Sequence, residues 1–588
     1  MEKNKLNILG LKIVKHDTGA ALISNGEVVA IGEERLNRVK HSPSIFPELS
    51  IDYCLNALNI KPKEVNLIVI DQVDHSSRFP MKDIFLEKTG DKFKNAEIHV
   101  INHHDAHAAS AFFVSPFDES AILIYDGAGE KFKTHHGIYV TEADTLYYGK
   151  ENTFYQIQKT AHLREGKVFP YTFSIGKLYD FLSSFYLGFG PYNEGKMMGL
   201  APYGDDSVLK QIPEENWYKE VEGHVICNSR IEIPHKSKTR ETLRQIKKVF
   251  KKQLFGQDKN ASFESDIFSP IKLPKPKREK KDILPDKYYS SVAYAAQKIL
   301  EKVACRLGTK LKNITRSENL CVSGGVGLNI DANKNFLDKV GFKNIFIQPG
   351  SSDSGIPLGC ALYGYHMIKK QLRFFNMKSA SLGREYSEDE IIQSLKKEIN
   401  RIIFNKSDNV SKDTAKLIAD NNIIGWFQGG SEYGPRALGN RSILCDARNK
   451  DMKNILNEKV KHREGWRPFA TSILRENLSE YFEFEEESPF MLIAAEVKGD
   501  KKDKIPSVIH VDDTSRIQTV TSKNNKMYHK LISSFYDLTG VPLILNTSFN
   551  LGGDPIVETP KDALDTFLKT KMDFLIIGDY IIKKKSDV

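Results

Sequence analysis

Cysteine is scarce in this chain and never paired. The six cysteines in 588 residues (Cys54, Cys227, Cys305, Cys321, Cys360 and Cys445) are scattered, with no CxxC spacing. That pattern argues against a disulfide framework and a thiolate zinc site, and for a reducing compartment. No uninterrupted apolar stretch has bilayer length. Met1-Glu2-Lys3-Asn4-Lys5 leads into a strand without the apolar core of a secretion signal. The expectation is a cytoplasmic chain with no membrane partner.

A large charge imbalance is also missing. The net charge of +9 is modest for this length. Much of it could come from the run Lys272-Leu273-Pro274-Lys275-Pro276-Lys277-Arg278-Glu279-Lys280-Lys281. This run lacks the interleaved aromatics on which bases stack, so it reads as a solvated loop and no nucleic-acid partner is expected. The positive balance still suits phosphorylated substrates. With 40% hydrophobic and 27% charged residues, the composition is that of a globular enzyme. The length exceeds what one core supports, so two domains are expected.

The pattern that is present begins with His103-His104-Asp105-Ala106-His107. His103 and His107 stand i, i+4, so on a helix both imidazoles leave the same face. Asp126 ends the apolar strand Ala121–Tyr125, and Asp353 lies in the turn Pro349–Gly355. Two nitrogen donors and two carboxylates suit a borderline divalent ion such as iron, manganese or zinc. Taken alone, such a histidine pair is usually two helix-surface or partly buried residues, and aspartates after strands are common caps and turn formers. Loops after strands of open α/β sheets are nevertheless where ligand sites gather.

Leu6 to Val14 reads as a strand ending at His16-Asp17. The apolar runs 20–23 and 28–31 flank Asn25-Gly26, which predicts a type I′ hairpin. Further strands are expected at 65–70, 98–101, 121–125 and 319–322. A helix is expected over 289–312, and no short-period repeat is visible. Ser323-Gly324-Gly325-Val326-Gly327-Leu328-Asn329 joins a strand to a helix beginning near Ile330, a place where backbone amides can approach phosphate. That stretch is neither a dinucleotide fingerprint nor a P-loop, and a tight structural turn is the alternative. In Asn193–Gly204, Lys196 is a candidate partner for a phosphate or an adenylate, and Glu194 for an acceptor or a cation. The alternative is a Gly/Pro loop with an incidental ion pair. In the second half Arg436, Arg441, Lys461, Arg463, Arg467 and Arg516 sit in separate Gly-, Ser- and Asn-rich loops, with Asn546, Ser548 and Asn550 ending a strand. Cations converging from several loops are what two phosphorylated reactants require.

At these residues the chain resembles the carbamoyltransferases that tailor antibiotics and nodulation factors, the NodU/CmcH type. The His16-Asp17 turn, Glu33-Glu34-Arg35, 103–107, 194–204, 323–329, 350–355, 432–444, 461–470 and 546–557 carry the resemblance, and Tyr433-Gly434-Pro435-Arg436-Ala437-Leu438-Gly439-Asn440-Arg441 is its most specific part. The Lys-rich stretch near 235–285 departs from it. The resemblance implies an α/β fold: an actin-like, sugar-kinase-type domain over 1–375, then a YrdC-like domain over 376–588. It implies that the second domain makes carbamoyl-adenylate from carbamoyl phosphate and ATP (with Mg), and that the first moves the carbamoyl group to a hydroxyl of a small molecule.

By the same correspondence His103, His107, Asp126 and Asp353 would hold Fe(II). Gly127, Ser323, Gly324, Gly325, Gly327 and Asn329 would face the nucleotide. Arg436, Arg441, Lys461, Arg463, Arg467, Arg516, Asn546, Ser548 and Asn550 would face carbamoyl phosphate and ATP. His16, Asp17, Glu194 and Lys196 would serve the transfer, with His16 as candidate base. A tRNA threonylcarbamoyl-type enzyme and a nucleotide-binding sensor ATPase are the competing readings, and a homodimer is the default assembly.

Overall fold

The structure, a computed structural model, describes residues 6–72, 80–133, 139–165, 169–170, 172–232, 268–273 and 287–585. Most of the Lys-rich stretch near 235–285 therefore lies outside the described residues.

The first sheet is built as the hairpin signal predicts. Strands Asn7–Lys12, Gly19–Ser24 and Glu27–Gly32 pair antiparallel in sequence. Asn25 and Gly26 turn between the last two at φ 51° and 86°, the positive values of a type I′ turn. Strand Leu67–Gln72 then joins parallel to the first strand, and Glu97–Asn102 parallel to it. The spatial order is third, second, first, fourth, fifth.

A second sheet repeats that order. Strands Glu119–Tyr125, Tyr139–Lys150 and Thr153–Glu165 form an antiparallel meander. After helix Lys287–Thr315, strands Asn319–Ser323 and Asn344–Ile347 add in parallel beside Glu119–Tyr125. This duplication of mixed α/β sheets agrees with the actin-like expectation. It is invisible as a residue repeat because each sheet keeps its order with different side chains.

Each fifth strand leads to a helix, His103–Phe112 from the first sheet and Ile356–Tyr363 from the second. The two helices pack against each other between the sheets, and the sequence permits the close crossing through glycine. A Cβ on Gly359 would sit 1.9 Å from the carbonyl oxygen of Ala106, and one on Gly10 would sit 2.1 Å from that of Pro357. Because backbone cannot yield as a side chain does, Gly359→Ala is expected to destabilise this half by about 3 kcal/mol. Because the same crossing aligns His103 and His107 with the Asp353 turn, the variant should also bind divalent metal more weakly, measured by denaturant melting and metal titration.

The strands from Ile402 to Lys584 form one nine-stranded mixed sheet whose interior includes the fully buried Trp426. Among the described residues, no helix is long and apolar enough to cross a membrane.

Candidate active site on a cavity shared by both halves

The histidine pair is on a helix, as its spacing predicts. Asn102 caps that helix, its side chain accepting the N–H groups of His104 (3.0 Å) and Asp105 (3.2 Å), and so fixes where the first turn begins. Asp126 follows the first strand of the second sheet, and Asp353 opens the turn before helix Ile356–Tyr363. These four buried side chains converge, with one ligand atom from each lying within 4.8 Å of the others. His103 Nε2 is 3.5 Å from Asp353 Oδ1 and 3.8 Å from Asp126 Oδ2, and His107 Nε2 is 3.7 Å from Asp353 Oδ1.

The donor set fits a divalent ion. Both Nε2 atoms are buried without a hydrogen-bond partner among the described residues. The other ring nitrogens are held. His103 Nδ1 lies 3.0 Å from Asp71 Oδ2, and His107 Nδ1 lies 3.0 Å from Ser323 Oγ. A proton fixed on Nδ1 leaves the Nε2 lone pair aimed at the centre. Asp126 Oδ1 accepts the Gly325 amide at 2.9 Å, which turns Oδ2 toward the histidines.

Lys12, fully buried, sits 3.0 Å from Asp353 and 3.5 Å from Asp71. Burial works against its ammonium, but the Asp353 and Asp71 carboxylates overcome that and raise its pKa. The carboxylates of Asp71, Asp126 and Asp353 outnumber the Lys12 ammonium, an excess of negative charge that a divalent cation would balance. Asp71→Asn should preserve the fold yet reduce metal affinity about 10- to 100-fold, read by competition with a chelator, because His103 loses the anchor for its tautomer.

Beside this quartet lies a cavity of about 1480 Å³. Its wall includes His16, Asp17, Gly127, Glu194, Lys196, Gly325, Asn329, Asp126 and Asp353 from the first half. From the second it includes Arg436, Lys461, Arg463, Arg467, Arg516, Asn546, Ser548 and Asn550. One cavity thus gathers most of the expected site residues.

Its second-half side is cationic and poorly compensated. The Nε atoms of Arg436, Arg463 and Arg516 are buried without a hydrogen-bond partner among the described residues. Burial and then the neighbouring Arg467 push Arg436 down to about 10 and Arg463 down to about 9. Burial and then Arg436, Arg463 and Arg467 lower Arg516 well below the ordinary guanidinium value. Because guanidinium does not deprotonate in proteins, this direction reflects the cost of burying the charges and then their mutual repulsion, both of which a bound anion would relieve. Lys461, lowered by burial and then by Arg463 and Arg467, is pinned by Asn550 Oδ1 at 2.8 Å and by the Ser548 carbonyl.

Besides the metal-site histidines His103 and His107, four expected residues do not line the cavity. Arg441 is completely buried. It stacks on Phe427 at 3.5 Å and donates to the carbonyls of Gln428 (2.8 Å) and Gly429 (3.0 Å), so it holds the loop together from beneath. Ser323 faces His107 instead. Gly324, at φ 95° and with no space for a Cβ beside the Tyr125 carbonyl, shapes the turn. Gly327 packs on Ser351. The Gly325 amide, although at the wall, is already donated to Asp126. Asn546 reaches the wall while its amide is bonded to the Ala437 carbonyl at 3.1 Å. Lys196 pairs with Glu464 at 3.0 Å, across the two halves.

The transfer end is more connected than the sequence indicates. His16 Nδ1 lies 3.1 Å from Asp17 Oδ2, and His41 Nδ1 lies 2.7 Å from Asp17 Oδ1. Tyr192 packs against both rings, with centroids 4.9 and 4.5 Å away. His16 Nε2 faces Asp353 at 3.8 Å. Burial lowers the His16 pKa, but the Asp17 hydrogen bond and the Asp353 charge prevail and raise it. His41, Tyr192, Asp71 and Lys12 escaped the sequence reading. For Asp71 and Lys12 a signal existed, because each is a charge inside an otherwise apolar strand.

Comparisons with known proteins give the family. The family "Carbamoyltransferase N-terminus" matches residues 7–97 and 87–362, and "Carbamoyltransferase C-terminus" matches 415–584. The nodulation protein NolNO of Sinorhizobium fredii is 33% identical, over 97% of this chain and 79% of its own length. The nodulation protein NolO of Bradyrhizobium diazoefficiens is 30% identical over 82% and 79%. The 3'-hydroxymethylcephem-O-carbamoyltransferase of Streptomyces clavuligerus is 32% identical over 44% and 48%. With both family regions present in order and 97% of this chain matched to a 33% identical relative, the chain belongs to the carbamoyltransferase family and is a transferase.

Proposed function

We propose that this carbamoyltransferase is an ATP-dependent O-carbamoyltransferase that works in two half-reactions. In the second half (residues 376–588, read as YrdC-like) carbamoyl phosphate, water and Mg-bound ATP give carbamoyl-adenylate, phosphate and pyrophosphate. In the first half (residues 1–375) an acceptor hydroxyl of a small molecule attacks the carbonyl and AMP leaves. The observation that carries this reading is the pairing, at one cavity, of an undercompensated cation cluster with a buried four-ligand site. A carbamate carbonyl is a weak electrophile, so it needs a leaving group such as AMP. Making that adenylate demands cations for two sets of phosphates.

Each chain residue has a task in this scheme. Arg436, Arg463, Arg467 and Arg516 neutralise and orient phosphates. Lys461, fixed by Ser548 and Asn550, holds its ammonium toward them. Asp17 fixes the His16 ring so that Nε2 takes the proton from the acceptor hydroxyl. His103, His107, Asp126 and Asp353 would hold the metal, which we assign as Fe(II) over Mn or Zn, and which when bound supplies Lewis-acid polarisation. Gly127 and Asn329 border the nucleotide.

The test is mass spectrometry of the enzyme incubated with ATP, carbamoyl phosphate and either a panel of hydroxylated small molecules or tRNA. A carbamoyl increment on a small molecule is expected. An increment confined to tRNA would support the threonylcarbamoyl-type reading instead.

A further inference from the structure

The Glu33-Glu34-Arg35 segment has no task in that scheme, yet it touches both ends of the cavity. It forms a short helix, Glu33–Asn37, directly after the first hairpin. Arg35 is 5% exposed. Its Nη2 donates to the carbonyl oxygens of Gly434 (2.7 Å) and Glu432 (3.2 Å), some 400 positions away in the chain. Arg38, just past the helix, donates to the carbonyls of Ile556 (2.7 Å) and Pro555 (2.8 Å). Both contacts lie along the cavity wall where the two halves meet.

The loop that Arg35 grips carries Arg436, and it rests on the turn that carries Asp353. Gly434 stands at φ 110°, and a Cβ there would lie 2.5 Å from the Pro349 carbonyl oxygen. The buried Glu432 carboxylate gathers the same loop, its Oε1 accepting the N–H groups of Leu438 (2.7 Å), Asn440 (2.8 Å) and Arg441 (3.1 Å). At the other end, Glu34 Oε2 accepts the His41 amide at 2.6 Å, and His41 holds Asp17. One short helix therefore fixes the phosphate loop through Arg35 and the transfer end through Glu34.

We infer that Arg35, assisted by Arg38, is a positioning residue that keeps the cavity wall closed where the two halves meet, so that the activated carbamoyl group is retained for the acceptor. This inference rests on the two-step reading above. If the wall loosens, water attacks the carbonyl carbon of carbamoyl-adenylate. The bond from that carbon to the phosphate oxygen breaks, and AMP and carbamic acid result without transfer.

The experiment omits any acceptor and supplies the full-length, metal-loaded enzyme with ATP and carbamoyl phosphate. Wild type is expected to release one burst of pyrophosphate per site and then little AMP. Arg35→Lys keeps the cation but is shorter and lacks the planar fork, so it loses charge-assisted bonds. Sustained AMP release about tenfold faster than wild type is expected, with an unchanged pyrophosphate burst and a melting temperature lowered by no more than a few degrees. A merely structural residue would lower the burst and the leak together. Should Arg35→Lys melt early, Arg38→Lys is the deciding variant, with the same leak expected. A folded variant that retains adenylate as wild type does would overturn the inference. Absence of any carbamoyl-phosphate-dependent burst in wild type would instead overturn the two-step reading, and this inference with it.

Discussion

His107→Ala is expected to lose its divalent metal and to slow carbamoyl transfer about a thousandfold or more, equivalent to roughly 4 kcal/mol of lost transition-state stabilisation. Carbamoyl-phosphate-dependent pyrophosphate release should survive within a few fold. The large loss follows from the coordination geometry. His107 Nε2 is buried and unpartnered, and its ring is locked by Ser323, so no other described side chain stands ready to replace it. The selectivity follows from placement. The four ligands belong to the first half, whereas the arginines enter from loops and a strand of the second. Metal content by elemental analysis and the two rates checked separately decide the matter. Equal loss of both half-reactions would refute this division of labour, and so would full metal occupancy in the variant.

Arg516→Ala should do the reverse. Pyrophosphate release is expected to fall about 100- to 1000-fold, the loss that follows removal of a preorganised charge donor, while metal content stays at the wild-type level. Its effect on stability should run opposite to its effect on rate. Without an anion, Arg516 is repelled by Arg436, Arg463 and Arg467 and has a buried, unsatisfied Nε. Removing it relieves repulsion, so the ligand-free variant should melt no earlier than wild type, and inorganic phosphate should stabilise it less than it stabilises wild type. Early melting together with a normal pyrophosphate rate would reassign Arg516 to the fold.

The contrast between Arg516 and Arg441 marks where sequence reading ends. Both are arginines in polar, turn-rich surroundings, and neither neighbourhood says which way the side chain points. Arg441 begins a central strand, and its guanidinium turns under the loop to satisfy carbonyls that glycine-rich backbone would otherwise leave bare. Arg516 lies in a strand as well, but reaches the cavity. Strand membership alone could not separate them.

The histidine pair was legible because helical spacing sets a shared face without reference to the rest of the fold. The Asn25-Gly26 hairpin was legible for a similar local reason. Asp71 and Lys12 illustrate the opposite case. Each stands out locally as a charge in a strand, but its partners depend on a parallel pairing between strands some 60 residues apart and on the Asp353 turn beyond it, which no local pattern encodes. The duplicated sheet order was hidden for the same reason: topology is conserved by burial and crossing geometry, for which many side chains serve equally well.

ATP–pyrophosphate exchange is the most direct test that activation and transfer share this cavity as proposed. Purified enzyme should scramble labelled pyrophosphate into ATP when carbamoyl phosphate is present and lose that exchange when it is withheld. Exchange that proceeds equally well without carbamoyl phosphate, or ATP hydrolysed to ADP with no exchange at all, would contradict the account and leave a nucleotide-binding ATPase in its place.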